Sequence, residues 1–121
     1  MTSIDALAAT EFCYLTTRGR LSGSPHRIEI WFVGSDGGVY VLSGSDRADW
    51  YRNLVADPSV ELEIAGEWRA TTAAPVDADD PMSSSVRAAM VAKYQPGHGE
   101  DLDGWSRTAW LVRIEWPEAD A

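Results

Sequence analysis

The sequence is poor in cysteine, histidine and long apolar runs, and each shortage excludes a class of protein. Its 121 residues include one cysteine, Cys13, and two histidines, His26 and His98. A single cysteine excludes an internal disulfide and a cysteine-rich zinc site, and the two histidines lie too far apart in the chain to suggest a metal site. No apolar run approaches the roughly 18 residues of a membrane-spanning helix, and residues 1–10 do not resemble a signal peptide. We therefore expect a cytoplasmic protein with no metal site and no integral membrane segment.

Basic residues are also scarce, because ten lysines and arginines face nineteen aspartates and glutamates, for a formal net charge of −9. Nucleic acids and anionic membranes attract basic proteins, so this balance argues against both as partners. The deficit is concentrated in residues 57–121, which hold five basic and thirteen acidic residues. Residues 12–28 contain no acidic residue and hold Arg18, Arg20 and Arg27, which form a small positively charged island.

Alternating apolar and polar residues, bounded by glycine and proline turns, predict six β-strands. The predicted strands cover residues 12–17, 25–33, 39–43, 59–65, 68–76 and 108–116, with tight turns at 35–38 and 65–66. Most of them follow one another without a helix between them, which predicts a largely antiparallel sheet. Closure into a barrel would remove exposed strand edges. We predict one domain over residues 1–121, mainly β (α+β), built as a six-stranded antiparallel barrel.

Two or three helices are predicted to flank the barrel, and a short one precedes the first strand. Asp46 is the predicted N-cap of a helix that carries Val55 on its buried face. Asp80 is the predicted N-cap of a second helix that extends to about Tyr94. Residues 95–104 are rich in glycine and acidic residues, which predicts a loop.

A glycine-rich segment, TTRGRLSGSPH at residues 16–26, lies between the first two predicted strands. Arginine guanidinium groups grip phosphate with two hydrogen bonds, and the hydroxyls of Ser22 and Ser24 and the amide of Gly23 are neutral donors. The acid-free surroundings favour an anion-binding site here. The alternative interpretation is a solvated hairpin with surface arginines. The segment is not a P-loop, since it lacks the Gly-Lys-Ser/Thr ending and leads into a strand.

A second candidate segment is LSGSDRADWYRN at residues 42–53, where a strand passes directly into a helix. The N-terminal end of that helix would point at a ligand above the barrel, where Trp50 could pack beside a planar ring and Asn53 could donate a hydrogen bond. In the alternative interpretation, Trp50 and Tyr51 are core residues and residues 43–46 only cap the helix. No Gly-x-Ser-x-Gly nucleophile motif is present in the chain.

Several segments follow one another in a recognisable order: LTTRGRLSGSPH (15–26), IEIWF (28–32), SG (43–44), DWYRNL (49–54) and DPSV (57–60). Together they resemble the deazaflavin-dependent nitroreductase family of actinobacteria, which are split β-barrel oxidoreductases with a fold like that of pyridoxamine phosphate oxidases. The resemblance covers residues 12–72. It implies a six-stranded split barrel that binds the deazaflavin coenzyme F-420 and a small-molecule substrate, often as a homodimer.

The resemblance also implies two sets of cofactor-binding residues. Those that would hold the phosphate and the acidic tail are Arg18, Arg20, Ser22, Gly23, His26 and Arg27. Those that would line the ring are Ser43, Gly44, Trp50 and Asn53. We expect Trp31, Tyr94 and Trp105 to shape the substrate pocket. The chain differs from better-studied relatives at Leu21, where they have lysine, and at Glu29, where they have proline.

The chemistry that the resemblance implies is hydride transfer from reduced F-420 to a planar, electron-poor acceptor such as an enone, quinone or nitroaromatic. A deazaflavin supplies the hydride itself, so the protein needs only to position the ring and exclude water. The sequence assigns no catalytic residue, and Tyr94 and Ser45 are candidate proton donors. We expect the loss of Arg20 to weaken cofactor binding with little loss of stability. Two alternatives stay open: an FMN-dependent oxidoreductase, and a non-enzymatic binder of cofactor, haem or lipid.

Overall fold

The computed structural model describes residues 3–117, which form seven strands and four helices. The strands are β1 (Cys13–Arg18), β2 (Pro25–Ile30), β3 (Val33–Ser35), β4 (Gly38–Ser43), β5 (Ser59–Ile64), β6 (Glu67–Pro75) and β7 (Trp110–Glu115). The helices are α1 (Ile4–Leu7), α2 (Asp49–Ala56), α3 (Pro81–Tyr94) and α4 (Asp103–Thr108). Within these residues, no helix is both long enough and apolar enough to cross a membrane.

The seven strands form one curled sheet in the order β2-β1-β5-β6-β7-β4-β3, and every neighbouring pair is antiparallel. Strand β6 belongs to both halves of the sheet. Its residues 67–72 pair with β5, and its residues 73–75 pair with β7. This change of partner along one strand bends the sheet into a half-barrel, so the predicted antiparallel, mainly β (α+β) class is confirmed.

The strand predicted over residues 25–33 is wrong as a single element, because it is two strands at opposite edges of the sheet. The chain turns at Trp31 and Phe32, between β2 and β3. The hydroxyl of Tyr94 accepts a hydrogen bond from the Phe32 amide (3.0 Å), and Lys93 Nζ donates to the Phe32 carbonyl (2.8 Å). Side chains of α3 therefore make the hydrogen bonds to the Phe32 backbone that a neighbouring strand would otherwise make. Residues 31 and 32 connect β2 and β3, the two edge strands of the sheet.

The inside of the half-barrel is filled by alternate residues of its strands, as the sequence pattern predicts. On β5, Val60, Leu62 and Ile64 are buried while Glu61 is exposed. Phe32 is fully buried in the same cluster. A second apolar cluster lies between the sheet and the helices α3 and α4, with Val86 and Met90 of α3 at its centre. The half-barrel thus has one core inside and another beneath its helices.

The start of α3 agrees with the sequence-based prediction, and the start of α2 differs from it. Asp80 caps α3 as predicted, since its carboxylate accepts a hydrogen bond from the Met82 amide (2.9 Å). Asp46 is not an N-cap, because the hydroxyl of Ser45 accepts from the Arg47 amide (3.0 Å) in a preceding turn and α2 begins only at Asp49.

Two further corrections concern α2 and the segment expected to be a loop. Val55, predicted on the buried face of α2, is 57% exposed, because the helix packs through Tyr51 and Leu54 instead. The segment after α3 is not entirely loop. It contains α4, which replaces the start of the strand predicted at residue 108.

Both tight hairpin turns place two successive residues in the left-handed region. The residues are Asp36 (φ 52°), Gly37 (φ 73°), Ala65 (φ 51°) and Gly66 (φ 84°). This is the backbone shape that favours Asn-Gly and Asp-Gly pairs, because a Cβ is strained there. Only the second turn has an alanine in that conformation.

We predict that Ala65→Asn stabilises the fold, because asparagine tolerates the left-handed region better than alanine. The expected gain is about 0.5–1 kcal/mol in the free energy of unfolding, measured by urea denaturation. Gly66→Ala is the matched opposite and should lower stability by about 1 kcal/mol or more. A loss of stability in Ala65→Asn would contradict the turn geometry.

Candidate functional site

The glycine-rich loop between β1 and β2 folds back on itself. The Gly19 amide donates to the Ser24 carbonyl (2.7 Å), and the Gly23 amide donates to the Gly19 carbonyl (2.7 Å). The Ser22 hydroxyl accepts from the Ser24 amide (3.1 Å). The Gly23 amide, one of the expected anion donors, therefore stabilises the turn itself. Gly23 has a φ of +74° and open space on its side-chain face.

Arg20 and Asn53 are brought together, although the sequence assigned them to opposite ends of a cofactor. The Asn53 Oδ1 atom accepts hydrogen bonds from the Arg20 amide (3.1 Å) and from the Arg20 guanidinium (2.8 Å). The Asn53 amide group donates to Thr17 Oγ1 (3.1 Å), and Arg20 also pairs with the carboxylate of Asp49 (3.3 Å). Because Asn53 is buried and only 19% of the Arg20 side chain is exposed, these contacts fasten the loop to α2.

The other cations near the loop are accessible. The Arg18 side chain is 67% exposed and lies 3.6 Å from the carboxylate of Asp57. Arg27 is half exposed, pairs with Glu63 at 3.3 Å and lies over the ring of Tyr14 at 4.5 Å. His26 is exposed beside them on β2. Exposed ion pairs are weak, so these arginines remain able to bind an anion.

A cleft of about 580 Å³ opens beside this loop, and we call it the hydroxyl cleft. Its lining residues are Thr16, Thr17, Arg18, Gly23, Pro25, Ser59, Val60, Glu61, Ala70, Thr71 and Thr72. Hydroxyl groups predominate among its polar groups, and Arg18 is the cation. Its volume lies within the usual range for small-molecule sites.

The residues expected to line a ring lie farther along, at the end of β4 and in α2. Ser43 is buried and its hydroxyl donates to the Ser45 carbonyl (2.6 Å). Gly44 lies next to α4, where a Cβ on Gly44 would be 3.8 Å from the indole nitrogen of Trp105. Trp50 packs against the inner core, 6.2 Å from the ring of Tyr51. Ser43 and Gly44 therefore lie close to Trp105, whereas Trp50 is partly a core residue.

The three aromatic residues expected in the substrate pocket form one cluster. The rings of Trp31 and Tyr94 are stacked, with centroids 4.3 Å apart and planes within 5°. Trp105 is edge-on to Trp31 at 5.8 Å, and His98 is edge-on to it at 5.5 Å. A second cleft of about 310 Å³ is lined by Phe12, Glu29, Ile30, Trp31, Leu42 and Trp105, and we call it the aromatic cleft.

Tyr94 supports this cleft without lining it. Its hydroxyl donates to the Glu11 carbonyl (2.6 Å) and accepts from the Phe32 amide (3.0 Å). Burial raises the pKa of Tyr94 to about 12. A hydroxyl so engaged with the backbone is a poor proton donor to a ligand, so its role is to hold Trp31 and Phe32 in place.

One residue that lines the aromatic cleft and one that supports it from outside escaped the sequence-based interpretation. Glu29 was noted only as a difference from relatives, and nothing in the pattern indicated that it borders a cleft. Arg87 carries no motif, yet its guanidinium donates to the carbonyls of Ser106 (2.8 Å) and Ala109 (2.6 Å). These bonds satisfy carbonyls at the end of α4 and fix the helix that carries Trp105.

Residues 3–103 match the family model described as F-420H(2)-dependent quinone reductase. The chain belongs to this family. The resemblance noted in the sequence is thereby confirmed.

Solved structures with the same fold accompany the family match. HutZ, the heme storage protein from Vibrio cholerae, is 25% identical, with a TM-score of 0.73 over 91% of this chain and 84% of HutZ. The F-420-H2 dependent reductase FDR-A is 19% identical, with a TM-score of 0.67 over 86% of this chain and 93% of FDR-A. The conserved hypothetical protein Rv2991 from Mycobacterium tuberculosis is 19% identical, with a TM-score of 0.74 over 92% and 76% of the two chains.

The donor set of this quinone reductase family member fits a phosphate-bearing cofactor. Arg18, His26 and Arg27 are accessible near the hydroxyl cleft, and its hydroxyls suit a polyol chain. Open space at Gly23 permits a close approach to the loop backbone. The aromatic walls of Trp31 and Trp105 suit a flat ring.

Neither Cys13 nor Lys93 is available as a side-chain nucleophile. Cys13 is fully buried, and burial raises the pKa of its thiol to about 12. Burial lowers the pKa of Lys93 to about 8, but its ammonium group donates to the Phe32 carbonyl and lies 3.8 Å from the Phe32 ring centroid. Among residues 3–117, no group of three potential metal ligands comes together.

We predict that Arg20 and Asn53 are coupled in stability, contrary to the expectation from sequence that the loss of Arg20 would cost little stability. Asn53→Ala should cost about 2–3 kcal/mol, since it leaves buried donors without an acceptor. Arg20→Ala should cost about 1–2 kcal/mol, and the double variant should fall short of the sum by at least about 1 kcal/mol. Urea denaturation of all four proteins measures the coupling.

The control for this cycle is Arg52→Ala, which removes an exposed arginine from the same helix. Its cost should stay within about 0.5 kcal/mol. Additive effects of Arg20→Ala and Asn53→Ala would show that the loop is not fastened to α2 through this pair.

We also predict that Cys13 is inert in the folded protein. Only the thiolate reacts with an aromatic disulfide reagent, and burial together with the raised pKa of Cys13 suppresses it. At mildly alkaline pH, labelling should proceed no faster than unfolding, as followed by tryptophan fluorescence in parallel. Rapid stoichiometric labelling of the native protein would contradict this description of the site.

Proposed function

We propose that this protein is an F-420H2-dependent reductase that transfers a hydride to a planar, electron-poor organic acceptor such as a quinone, enone or nitroaromatic. The family match supports the cofactor and the reaction type. The single observation that supports the proposal beyond the family match is that one half-barrel has two clefts with different linings. One has an arginine-bordered, hydroxyl-rich lining, and the other has aromatic walls.

The hydroxyl cleft is the proposed site of the phosphate and its polyol chain. Arg18 provides the charge-assisted hydrogen bonds, and His26 and Arg27 are available to further acidic groups of the tail. Arg20 acts differently from the other two arginines. Its contacts with Asn53 and Asp49 hold the loop in its folded shape, so its contribution to binding is to preorganise the loop.

The aromatic cleft is the proposed site of the acceptor ring. When bound, reduced F-420 supplies the hydride. The protein's part is to stack planar groups against Trp31 and Trp105 and to exclude water from the space between Leu42 and Phe12. Tyr94 fixes the orientation of the Trp31 ring by stacking against it, with the ring centroids 4.3 Å apart. This division of labour needs no protein nucleophile.

Binding of F-420 is the direct test, read by the change in deazaflavin fluorescence. Arg18→Ala should weaken F-420 binding by about ten-fold or more, because a hydrogen bond to a charged group is worth about 1.5–3 kcal/mol. Stability should hardly change, since the Arg18–Asp57 pair is exposed. Turnover of F-420H2 with naphthoquinone should fall in parallel.

The matched control is Arg107→Ala, which removes the same charge from a 72% exposed arginine paired with Asp103 on α4. Its F-420 affinity should equal that of the unmodified protein. A protein that binds no F-420 at tens of micromolar, or an Arg18→Ala variant that binds as well as the control, would contradict the proposal.

The similarity to HutZ favours one alternative, a binder of haem without reductase activity. Titration with haem, followed by its absorbance, distinguishes the two functions. Titration with FMN in the same series tests the remaining flavin alternative. Haem or FMN binding that displaces F-420 and abolishes turnover would favour these alternatives over the reductase.

A further inference from the structure

We infer that Glu29 determines which acceptors bind according to their charge. The aromatic cleft then admits neutral or cationic planar molecules and rejects anionic ones. The inference rests on the proposed function for what enters the cleft. It goes beyond that function because it assigns a specificity residue and a charge class.

The cleft has one charged residue in its lining. Its other lining residues are Phe12, Ile30, Trp31, Leu42 and Trp105, all aromatic or aliphatic. A volume of about 310 Å³ suits a molecule of one or two rings. Glu29 is exposed, so its carboxylate acts on a ligand from the solvent-facing border of the apolar walls.

The carboxylate of Glu29 is held by the side chain of Tyr14. No cation of residues 3–117 lies within 4.0 Å of it, whereas the neighbouring Arg27 pairs with Glu63 at 3.3 Å. Its contact is neutral: the hydroxyl of Tyr14 donates to Glu29 Oε1 at 2.9 Å. This hydrogen bond and the nearby negative charge raise the pKa of Tyr14, which keeps the donor protonated.

The position of this carboxylate is fixed by the sheet. Glu29 of β2 and Tyr14 of β1 are direct partners in the antiparallel register, so their side chains stand next to each other on one face. One residue farther along the strand lies Ile30, and the next is Trp31, the wall of the cleft. Glu29 lines the aromatic cleft, so the carboxylate held beside Tyr14 belongs to a residue at the border of the space where an acceptor would stack.

An anionic acceptor would bring like charges together at this border, whereas a neutral one would lose nothing. At a separation of several ångströms in a partly shielded site, repulsion of two unit charges weakens binding by about ten-fold or more. Carboxylated or sulfonated quinones should therefore bind less well than their neutral parents. Salt should reduce this difference, because it screens partly exposed charges.

The test measures binding of naphthoquinone and naphthoquinone sulfonate by equilibrium dialysis, which needs neither cofactor nor turnover. The unmodified protein should bind the neutral quinone about ten-fold more tightly. Glu29→Gln should reduce that ratio to about three-fold or less, and Glu29→Lys should invert it. Asp5→Asn removes an exposed carboxylate on α1, outside the cleft, and should leave the ratio unchanged.

Tyr14→Phe provides a variant that keeps the charge of Glu29 and removes only its hydrogen-bond donor. The preference for the neutral quinone should persist in it, and it keeps the test valid if a Glu29 variant fails to fold. An equal ratio in the unmodified protein and Glu29→Gln would overturn the inference, as would failure of the unmodified protein to bind either quinone.

The two proposals fail in different ways. A protein that binds no F-420 but shows the charge preference would disprove the reductase function and retain the role of Glu29. A protein that oxidises F-420H2 with both quinones equally, and binds both equally, would retain the reductase function and disprove the role of Glu29.

Discussion

The hydrogen bonds between α3 and the backbone of Phe32 join the two edges of the half-barrel. At the edge strands a backbone group has no ladder partner, and burying it unsatisfied costs about 1–3 kcal/mol. The Tyr94 hydroxyl and the Lys93 ammonium group satisfy Phe32 from a helix more than sixty residues later in the chain. The same helix end stacks on Trp31, so the barrel closure and the aromatic cleft depend on one set of contacts.

A second set of contacts gives the basic loop its shape. The loop has its own internal hydrogen bonds, but Asn53 is the buried residue that receives it and links it to Thr17 of β1. The positively charged island of an acidic protein is thus divided in function. Arg20 stabilises the folded shape of the loop, and the more exposed Arg18 and Arg27 remain accessible to an anion.

The sequence predicted those parts of the fold that local pattern determines. Alternation gave β5 and its buried face, and the Asp-Pro pair gave the start of α3, because both signals depend on neighbours in the chain. It failed at residues 25–33, where alternation continues across the corner and only Tyr94 reveals the break. The local pattern also failed to predict α4, because the carbonyl groups at the end of this helix accept hydrogen bonds from the distant Arg87.

In the candidate site, too, features set by local sequence were predicted and features set by distant residues were missed. The loop and the Ser43–Gly44 segment were predicted from motifs and the aromatic residues without one, and the structure brings Gly44, Trp31 and Trp105 into one region. The pairing of Arg20 with Asn53 was missed because hydrogen-bond partners separated by 33 residues leave no mark in a local pattern. Glu29 was missed for the same reason, since a cleft exists only when strands and helices meet.

The long separation between Phe32 and Tyr94 also constrains the order in which the protein acquires its structure during synthesis. The hairpin of β1 and β2 can pair as soon as residue 30 is available. The corner that follows it lacks its hydrogen-bond partner until α3 has been made, and β4 waits longer still for β7. A nascent chain of this protein therefore exposes the apolar inner face of its half-barrel through most of its synthesis. Topologies that depend on contacts between residues far apart in the chain fold slowly, and this fold is one of them.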